Sequence, residues 1–247
     1  EIIMEEEIED IPEQAFIEDY GIRLFLTEQN YFKKISLVSL RSAGEQKLKE
    51  DDKIISEIET TNKVDILLFS DKQNLYKLKA NDITDTKASS FGEYLFNILG
   101  MEQDEKIIYM TTTYDYTGSM VFFFDNGKAA KVQLSSYATK TNRKKIINAY
   151  SKKANIIFMK KLEQDLDFIL LRDTDKVLLF HTSLLPLTAL KNASGIQVFK
   201  LKKDSCVTKV FEKDIFLSDD IEFYRTEQIP STGHFVQLLD RQKNYII

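Results

Sequence analysis

Residues 22–35 read Ile22-Arg23-Leu24-Phe25-Leu26-Thr27, then Glu28-Gln29-Asn30, then Tyr31-Phe32-Lys33-Lys34-Ile35. Two short runs of β-branched, aromatic and aliphatic residues flank a tight polar turn, which is the signature of a β-hairpin. The pattern returns as Ile66-Leu67-Leu68-Phe69-Ser70 and Leu75-Tyr76-Lys77-Leu78 around Asp71-Lys72-Gln73-Asn74. It returns again as Met120-Val121-Phe122-Phe123-Phe124 and Lys128-Ala129-Ala130-Lys131-Val132 around Asp125-Asn126-Gly127. A fourth copy pairs Phe168-Ile169-Leu170-Leu171 with Val177-Leu178-Leu179-Phe180. Most of these runs are too short to show the periodicity of an amphipathic helix.

Hairpin starts near 22, 66, 120 and 168 give a repeat of roughly 45–55 residues, the size of one four-stranded propeller blade. A second element recurs ahead of three hairpins: Asp52-Lys53-Ile54-Ile55, Glu105-Lys106-Ile107-Ile108 and Ala154-Asn155-Ile156-Ile157. One such unit cannot bury both faces of its sheet, so several must pack together. The sequence therefore predicts an all-β, propeller-like chain occupying residues 1–247 as a single domain. Residues 1–20 form an acidic lead-in and first strand, and residues 205–247 a closing segment. Four repeats plus this remnant predict five blades, with six also compatible. The eight Gly and three Pro are few for such a fold, so Asn and Asp must serve many turns. With no Trp, the chain lacks the Trp-Asp signature of the commonest propeller family.

Composition narrows the function. One cysteine, Cys206, excludes an intramolecular disulfide framework, and with only His181 and His234 a Cys- or His-based metal centre is disfavoured. His181 is expected to be structural and Cys206 buried and inert. Asp51-Asp52 and Asp219-Asp220 fit solvated turns better than metal carboxylates, and most of the 28 Tyr and Phe residues fit the core. No nucleophile–base pair, phosphate loop or cofactor motif appears. No apolar run approaches the roughly 18 residues that span a bilayer, and the acidic start is the reverse of a signal peptide. A cytoplasmic location is expected.

The net charge of −5 points away from nucleic acid, but its distribution does not. Nine acids sit in the first 20 residues; without them the chain has 34 bases against 30 acids. Residues 126–162 hold ten bases and no acid, where a random draw would place about six acids. Residues 187–203 add Lys191, Lys200, Lys202 and Lys203, again without an acid. Lysines also recur on second strands of the hairpins: Lys33 and Lys34, Lys77 with Lys79 beyond it, Lys128 and Lys131. A basic position repeated in each blade would line one surface and suit the spaced phosphates of a duplex. Lysines on edge strands that block sheet-to-sheet aggregation give the same pattern.

Several segments resemble one family. Ile8-Glu9-Asp10-Ile11-Pro12-Glu13 is similar to the acidic lead-in of the C-terminal domain of bacterial type IIA topoisomerase A subunits, in gyrase and topoisomerase IV. Leu26-Thr27 to Tyr31-Phe32-Lys33-Lys34 resembles its "T-x-x-G-Y-I-K-R" hairpin, with Asn30 in place of Gly. Ser89-Ser90-Phe91-Gly92-Glu93-Tyr94-Leu95-Phe96-Asn97-Ile98-Leu99 resembles its "T-A-x-G-x-x-I-x-N-L-L" segment. Lys140-Thr141-Asn142-Arg143-Lys144-Lys145-Ile146-Ile147-Asn148-Ala149-Tyr150 looks like a run of the Gram-positive-type branch, as do Ser194-Gly195-Ile196-Gln197-Val198 and Ile229-Pro230-Ser231-Thr232-Gly233.

The resemblance implies a β-pinwheel, a propeller relative in which neighbouring blades exchange strands. It implies a non-catalytic domain that binds and bends double-stranded DNA without regard to sequence. Its partners would be the N-terminal breakage-reunion core of the same polypeptide and the ATPase subunit. The isolated domain would be a nucleoid-associated monomer with no cofactor, metal or membrane contact. The expected DNA contacts are Lys33, Lys34, Lys77, Lys79, Lys128, Lys131, Lys140, Arg143, Lys144, Lys145 and Lys191. Gyrase carries a Gly- and Arg/Lys-rich box after the first hairpin; here that stretch reads Leu40-Arg41-Ser42-Ala43-Gly44-Glu45-Gln46-Lys47. Relaxation or decatenation therefore fits better than wrapping-driven supercoiling. A propeller serving as a protein-interaction scaffold, its lysines there for solubility, remains the alternative.

Overall fold

A computed structural model describes residues 17–139 and 144–244. Its strands are β1 (Gly21–Thr27), β2 (Tyr31–Ser36), β3 (Ile54–Thr61), β4 (Asp65–Ser70), β5 (Leu75–Lys79), β6 (Glu93–Tyr94), β7 (Ile107–Thr113), β8 (Ser119–Phe124) and β9 (Lys128–Gln133). They continue with β10 (Lys145–Ile146), β11 (Ile156–Leu162), β12 (Asp167–Arg172), β13 (Lys176–His181), β14 (Leu187–Thr188), β15 (Ile196–Gln197), β16 (Val207–Glu212) and β17 (His234–Phe235). The four hairpins β1–β2, β4–β5, β8–β9 and β12–β13 begin within one residue of the positions read from the sequence.

Each hairpin is the centre of one sheet. The orders are β3-β1-β2-β6, β10-β5-β4-β7, β11-β8-β9-β14 with β15 also on β9, and β16-β12-β13-β17. The recurring Ile-Ile element is thus the third strand of the hairpin before it: β3 runs antiparallel to β1, pairing Ile58 with Leu24. The fourth strand comes from further along. In the first sheet β6, which follows β5, returns to β2; in the third, β14 and β15, which follow β13, return to β9. This exchange of strands between successive hairpins is the β-pinwheel arrangement.

Four sheets stand among the described residues where five blades were expected. Among the described residues no hairpin follows β12–β13 to lend it a strand. Residues 205–247 therefore supply both its outer strands, β16 and β17, instead of starting another sheet.

Compactness divides the chain into two units, residues 1–67 with 77–114 and residues 68–76 with 115–247. The first holds the first sheet, the other the third and fourth, and the second sheet is shared. Alternation along the strands builds the core. On β12 and β13, Phe168, Leu170, Leu178 and Phe180 pack with Val121, Phe123 and Phe199 on one face. Ile169, Leu171, Val177 and Leu179 pack on the other face with Phe216, Tyr224 and Val236 of the closing segment. Each such side chain contributes about 1.5–3 kcal/mol on burial. In the first unit Phe25, Ile35 and Ala88 form a smaller cluster.

Three of the two-residue outer strands, β6, β15 and β17, follow directly on a glycine. Gly195 has φ +74°, and a Cβ there would lie 2.2 Å from the Ala129 carbonyl oxygen. Gly92 and Gly233 make the same close approach to the Phe32 and Val177 carbonyls, just ahead of β6 and β17. Only a residue without Cβ lets the incoming strand come this near. No helix among the described residues is long and apolar enough to cross a membrane.

Candidate nucleic-acid interface

Of the lysines recurring on the second strands, Lys33, Lys34 and Lys131 are buried and Lys77 is half-buried, where a basic track would need them exposed. In each hairpin one turn residue has positive φ: Asn30 (63°), Gln73 (58°), Gly127 (75°) and Asp175 (55°). Four positions beyond stand Lys34, Lys77, Lys131 and Leu179. Lys34 is 2% exposed; its Nζ donates to the Ala80 and Ile83 carbonyls at 2.9 Å and meets Asp85 Oδ1 at 3.0 Å. Lys131 Nζ donates to Asp165 Oδ1 at 2.8 Å and to the Thr182 carbonyl at 2.9 Å. Both lysines clamp the 3-10 turn that follows the next hairpin, at Ala80–Asp82 and Thr182–Leu184.

Lys33 is also buried, donating to Gln46 Oε1 and to the Lys47 and Ala88 carbonyls, and burial pulls its pKa down. Lys77 is half-buried, and its pKa too is lowered by burial, against the opposing pull of Asp65. The physical reason is the same throughout. A strand with both faces covered has no free side, and an ammonium there is tolerated only because carbonyls and carboxylates surround it.

The other expected contacts are dispersed. Lys79 and Lys144 are exposed; Lys128, Lys145 and Lys191 are half-buried. Lys145 lies over the Tyr76 ring at 5.4 Å, and Lys191 Nζ reaches the Ser136 carbonyl at 3.3 Å. Lys140 and Arg143 lie outside the described residues. Within the acid-free window Lys160 pairs with Glu212 at 2.7 Å and Lys161 with Glu163 at 2.6 Å, which removes both from a free basic surface.

What the structure does bring together is the segment just ahead of each third strand. In three sheets it is one and the same turn. The amides of Asp52, Glu105 and Ser205 donate to the carbonyls of Lys49, Glu102 and Lys202, each at 3.2 Å. The residue before each donor, Asp51, Asp104 or Asp204, has φ between 56° and 63°, a conformation that Asp tolerates. In the first, third and fourth sheets the residue before the strand is pinned to its own hairpin tip. The amides of Glu28, Asp125 and Asp173 donate to the carbonyls of Lys53, Asn155 and Cys206. Cys206, expected in the interior, is exposed because it belongs to this junction.

In the third and fourth sheets these segments carry Lys152, Lys153, Lys200, Lys202 and Lys203, all exposed. None has an ion-pair partner among the described residues. Their neighbourhood is rigidly held. Asn155 Nδ2 donates to Asp125 Oδ2 at 2.7 Å, and the Val207 amide donates to the Asp125 carbonyl at 2.8 Å. Arg172, 4% exposed, donates to Ser205 Oγ at 2.7 Å and to the Lys200 carbonyl at 3.4 Å, and lies over the Phe199 ring at 5.7 Å. The bond from Ser205 Oγ, ahead of a bond from the Cys206 amide and the Arg172 charge, lowers the Asp173 pKa. The result is a backbone-fixed display of ammonium groups able to meet phosphate oxygens without reading bases. The acid-free windows point to these residues; their fixed offset ahead of the third strand would have singled them out.

Among the described residues no group of three or more His, Cys, Asp or Glu is placed to hold a metal ion. His181, expected to be structural, caps a turn, its Nδ1 accepting from the Ser183 amide. The exchange of strands between hairpins gives the β-pinwheel architecture that the sequence motifs imply.

The particular likenesses agree. The chain is 23% identical to the A subunit of DNA topoisomerase 4 from Staphylococcus aureus over 225 residues, 87% of this chain and 28% of the relative. It therefore spans just over a quarter of the length of the curated relatives it matches. Its fold matches the crystal structure of a C-terminal domain of DNA topoisomerase IV, with a TM-score of 0.68 and 20% identity over 79% of this chain and 62% of the other. It matches the Escherichia coli ParC C-terminal domain with a TM-score of 0.70 and 12% identity, over 90% of this chain and 96% of that one. A DNA gyrase A C-terminal domain gives 0.59 and 16%, over 87% and 76%. No family model matches the chain.

Proposed function

We propose that this chain is the non-catalytic, DNA-binding and DNA-bending domain of a type IIA topoisomerase A subunit. It would present a duplex for strand passage in relaxation or decatenation. The supporting observation is the set of exposed lysines held at the turns ahead of β11 and β16. Such a display has a physical use in counterion release from a duplex. The similarity to topoisomerase IV A subunits and the fold shared with ParC and gyrase A C-terminal domains favour the same role. In the absence of a Gly- and Arg/Lys-rich box after the first hairpin, wrapping-driven supercoiling is the weaker expectation.

On this proposal the active site, the ATPase and the nucleoid-bound, cytoplasmic setting belong to the whole enzyme. This domain adds no cofactor of its own. The test is a gel-shift titration of the chain against a duplex of arbitrary sequence. Binding at low salt that weakens steeply as salt rises is the expected outcome; no binding at low salt rejects the proposal.

One observation favours the alternative of a protein-interaction surface. Leu217, Phe235, Leu238 and Leu239 of the closing segment are all more than half exposed. That alternative predicts a partner retained at high salt and lost when Leu238 and Leu239 become Ser.

A further inference from the structure

The segment ahead of the third strand carries opposite charge in the two halves of the chain, although three of the four share one backbone turn. In the first unit it reads Lys49-Glu50-Asp51-Asp52 before β3 and Glu102-Gln103-Asp104-Glu105 before β7. In the other it reads Lys202-Lys203-Asp204-Ser205 before β16, and the corresponding segment before β11 is Ser151-Lys152-Lys153-Ala154. The shared hydrogen bond and the shared positive-φ Asp make the three turns superposable in kind, so only side-chain charge distinguishes them. Glu50, Asp51, Glu102 and Asp104 are exposed, as are the lysines of the second group. Lys53, beside the first acidic turn, meets Glu28 at 3.3 Å, which leaves it less available to phosphate.

We infer that duplex DNA contacts this chain through the turns of the third and fourth sheets alone, and that the acids at the matching turns of the first and second sheets hold phosphate away. The inference rests on the duplex-binding proposal above and specifies where that contact runs. Five exposed lysines lie in one unit, against Asp204 within the turn and the hydrogen-bonded Asp125 and Asp173 at the hairpin tips. If each neutralises one phosphate, the slope of log K against log salt is about −4.5. A duplex passing over Glu50, Asp51, Glu102 and Asp104 would place phosphates beside like charge at sites that release no counterion. A short contact confined to one pair of sheets follows.

Three measurements on the whole chain decide it. First, acetylation of lysines with and without a 30-base-pair duplex at about 50 mM salt, read by mass spectrometry, uses no variant at all. Lys152, Lys153, Lys200, Lys202 and Lys203 should be protected, while Lys49, Lys53 and Lys106 react as in the free chain. Second, Lys152→Glu, Lys153→Glu, Lys202→Glu and Lys203→Glu combined should weaken binding more than about tenfold and flatten the salt slope to below about 2. Third, Glu50→Lys with Glu102→Lys should tighten binding severalfold and steepen the slope by about 2, because the fold already presents those turns correctly. All the substituted side chains are exposed, and an unchanged melting temperature confirms folding. Protection spread equally over both groups of lysines overturns the inference, as does an unchanged affinity in either variant. If the unmodified chain fails to bind at all, the duplex-binding proposal itself falls.

Discussion

Lys131 and Leu179 occupy the same place on the second strands of successive hairpins, yet they solve opposite problems. Lys131 is 8% exposed, bonded to Asp165 and to the first carbonyl of the turn after β13. Leu179 is fully buried among Ile169, Val177, Phe216 and Tyr224. A hairpin followed by another has a neighbouring turn to clamp, and Lys34 does the same in the first unit. At the fourth hairpin the closing segment covers that position with apolar side chains. The charges move to its rim, where Arg225 forks onto both Asp167 oxygens at 3.0 and 2.8 Å. Repetition in sequence thus records the clamp between sheets, and its interruption records where an apolar cover replaces it.

Exchanging the two solutions has the largest expected effect. Leu179→Lys places an ammonium among the apolar side chains of Ile169, Val177, Phe216 and Tyr224, and should cost about 3–5 kcal/mol in urea unfolding. A loss below about 1 kcal/mol would mean that the closing segment opens readily and the comparison is empty. Lys131→Met removes the clamp and leaves the Thr182 carbonyl and Asp165 without their ammonium. Since Asp165 is part-exposed, about 2–3 kcal/mol is expected, and Lys34→Met should behave alike. Folded Lys131→Met should bind a duplex as the parent does, because its ammonium faces inward. Weaker DNA binding by that variant at unchanged fold would return Lys131 to the surface track.

The hairpins were legible because short runs of β-branched, aromatic and aliphatic residues around a polar turn are local signals. The exchanged strands were not: β6, β10, β14, β15 and β17 have two residues each, too few to show a period. Their marker is instead the glycine ahead of β6, β15 and β17, which reports a close approach rather than a strand. The lysines of the second strands were misplaced for a related reason. Phe32-Lys33-Lys34-Ile35 is buried throughout, and composition cannot tell an inward ammonium from an outward one. The remaining expectation about Asn30 has a physical answer. It takes the positive φ that Gly would take, and its side chain also donates to the Glu105 carbonyl and accepts from the Ile107 amide, both at 3.0 Å. An Asn in a turn signals such a clamp only once its partner is known, 75 residues away.

Within the closing segment Tyr224 and Asp240 form the buried polar contact that seats the cap. The Tyr224 hydroxyl donates to Asp240 Oδ2 at 2.7 Å and accepts from the Gln237 amide at 3.0 Å. Burial first, opposed by the Gln237 bond and aided by Asp240, pushes the phenol up to about 12. Tyr224→Phe should lower stability by about 1–2 kcal/mol, leaving the buried Asp240 with Ser218 as its remaining side-chain donor. No change in the midpoint of unfolding would show that the segment is held by its apolar contacts alone.

The smallest effect belongs to the rim of the same cap and is read through pH. Bonds from Arg225 first, then Lys213, hold Glu222 near 2 against an ordinary value of 4.5. A carboxylate whose folded pKa is depressed binds fewer protons folded than unfolded between those two values, so stability rises with pH across that window. Its contribution is complete above about 4.5 and is lost as pH falls toward 2. Because Glu222 is exposed and screened by solvent, the contribution is under about 1 kcal/mol. Glu222→Gln should therefore melt slightly below the parent at neutral pH, with the gap closing between about pH 4.5 and pH 2. A gap that persists unchanged at pH 2 would trace the loss to side-chain packing and take the ion pairs out of the account of how the last sheet is closed.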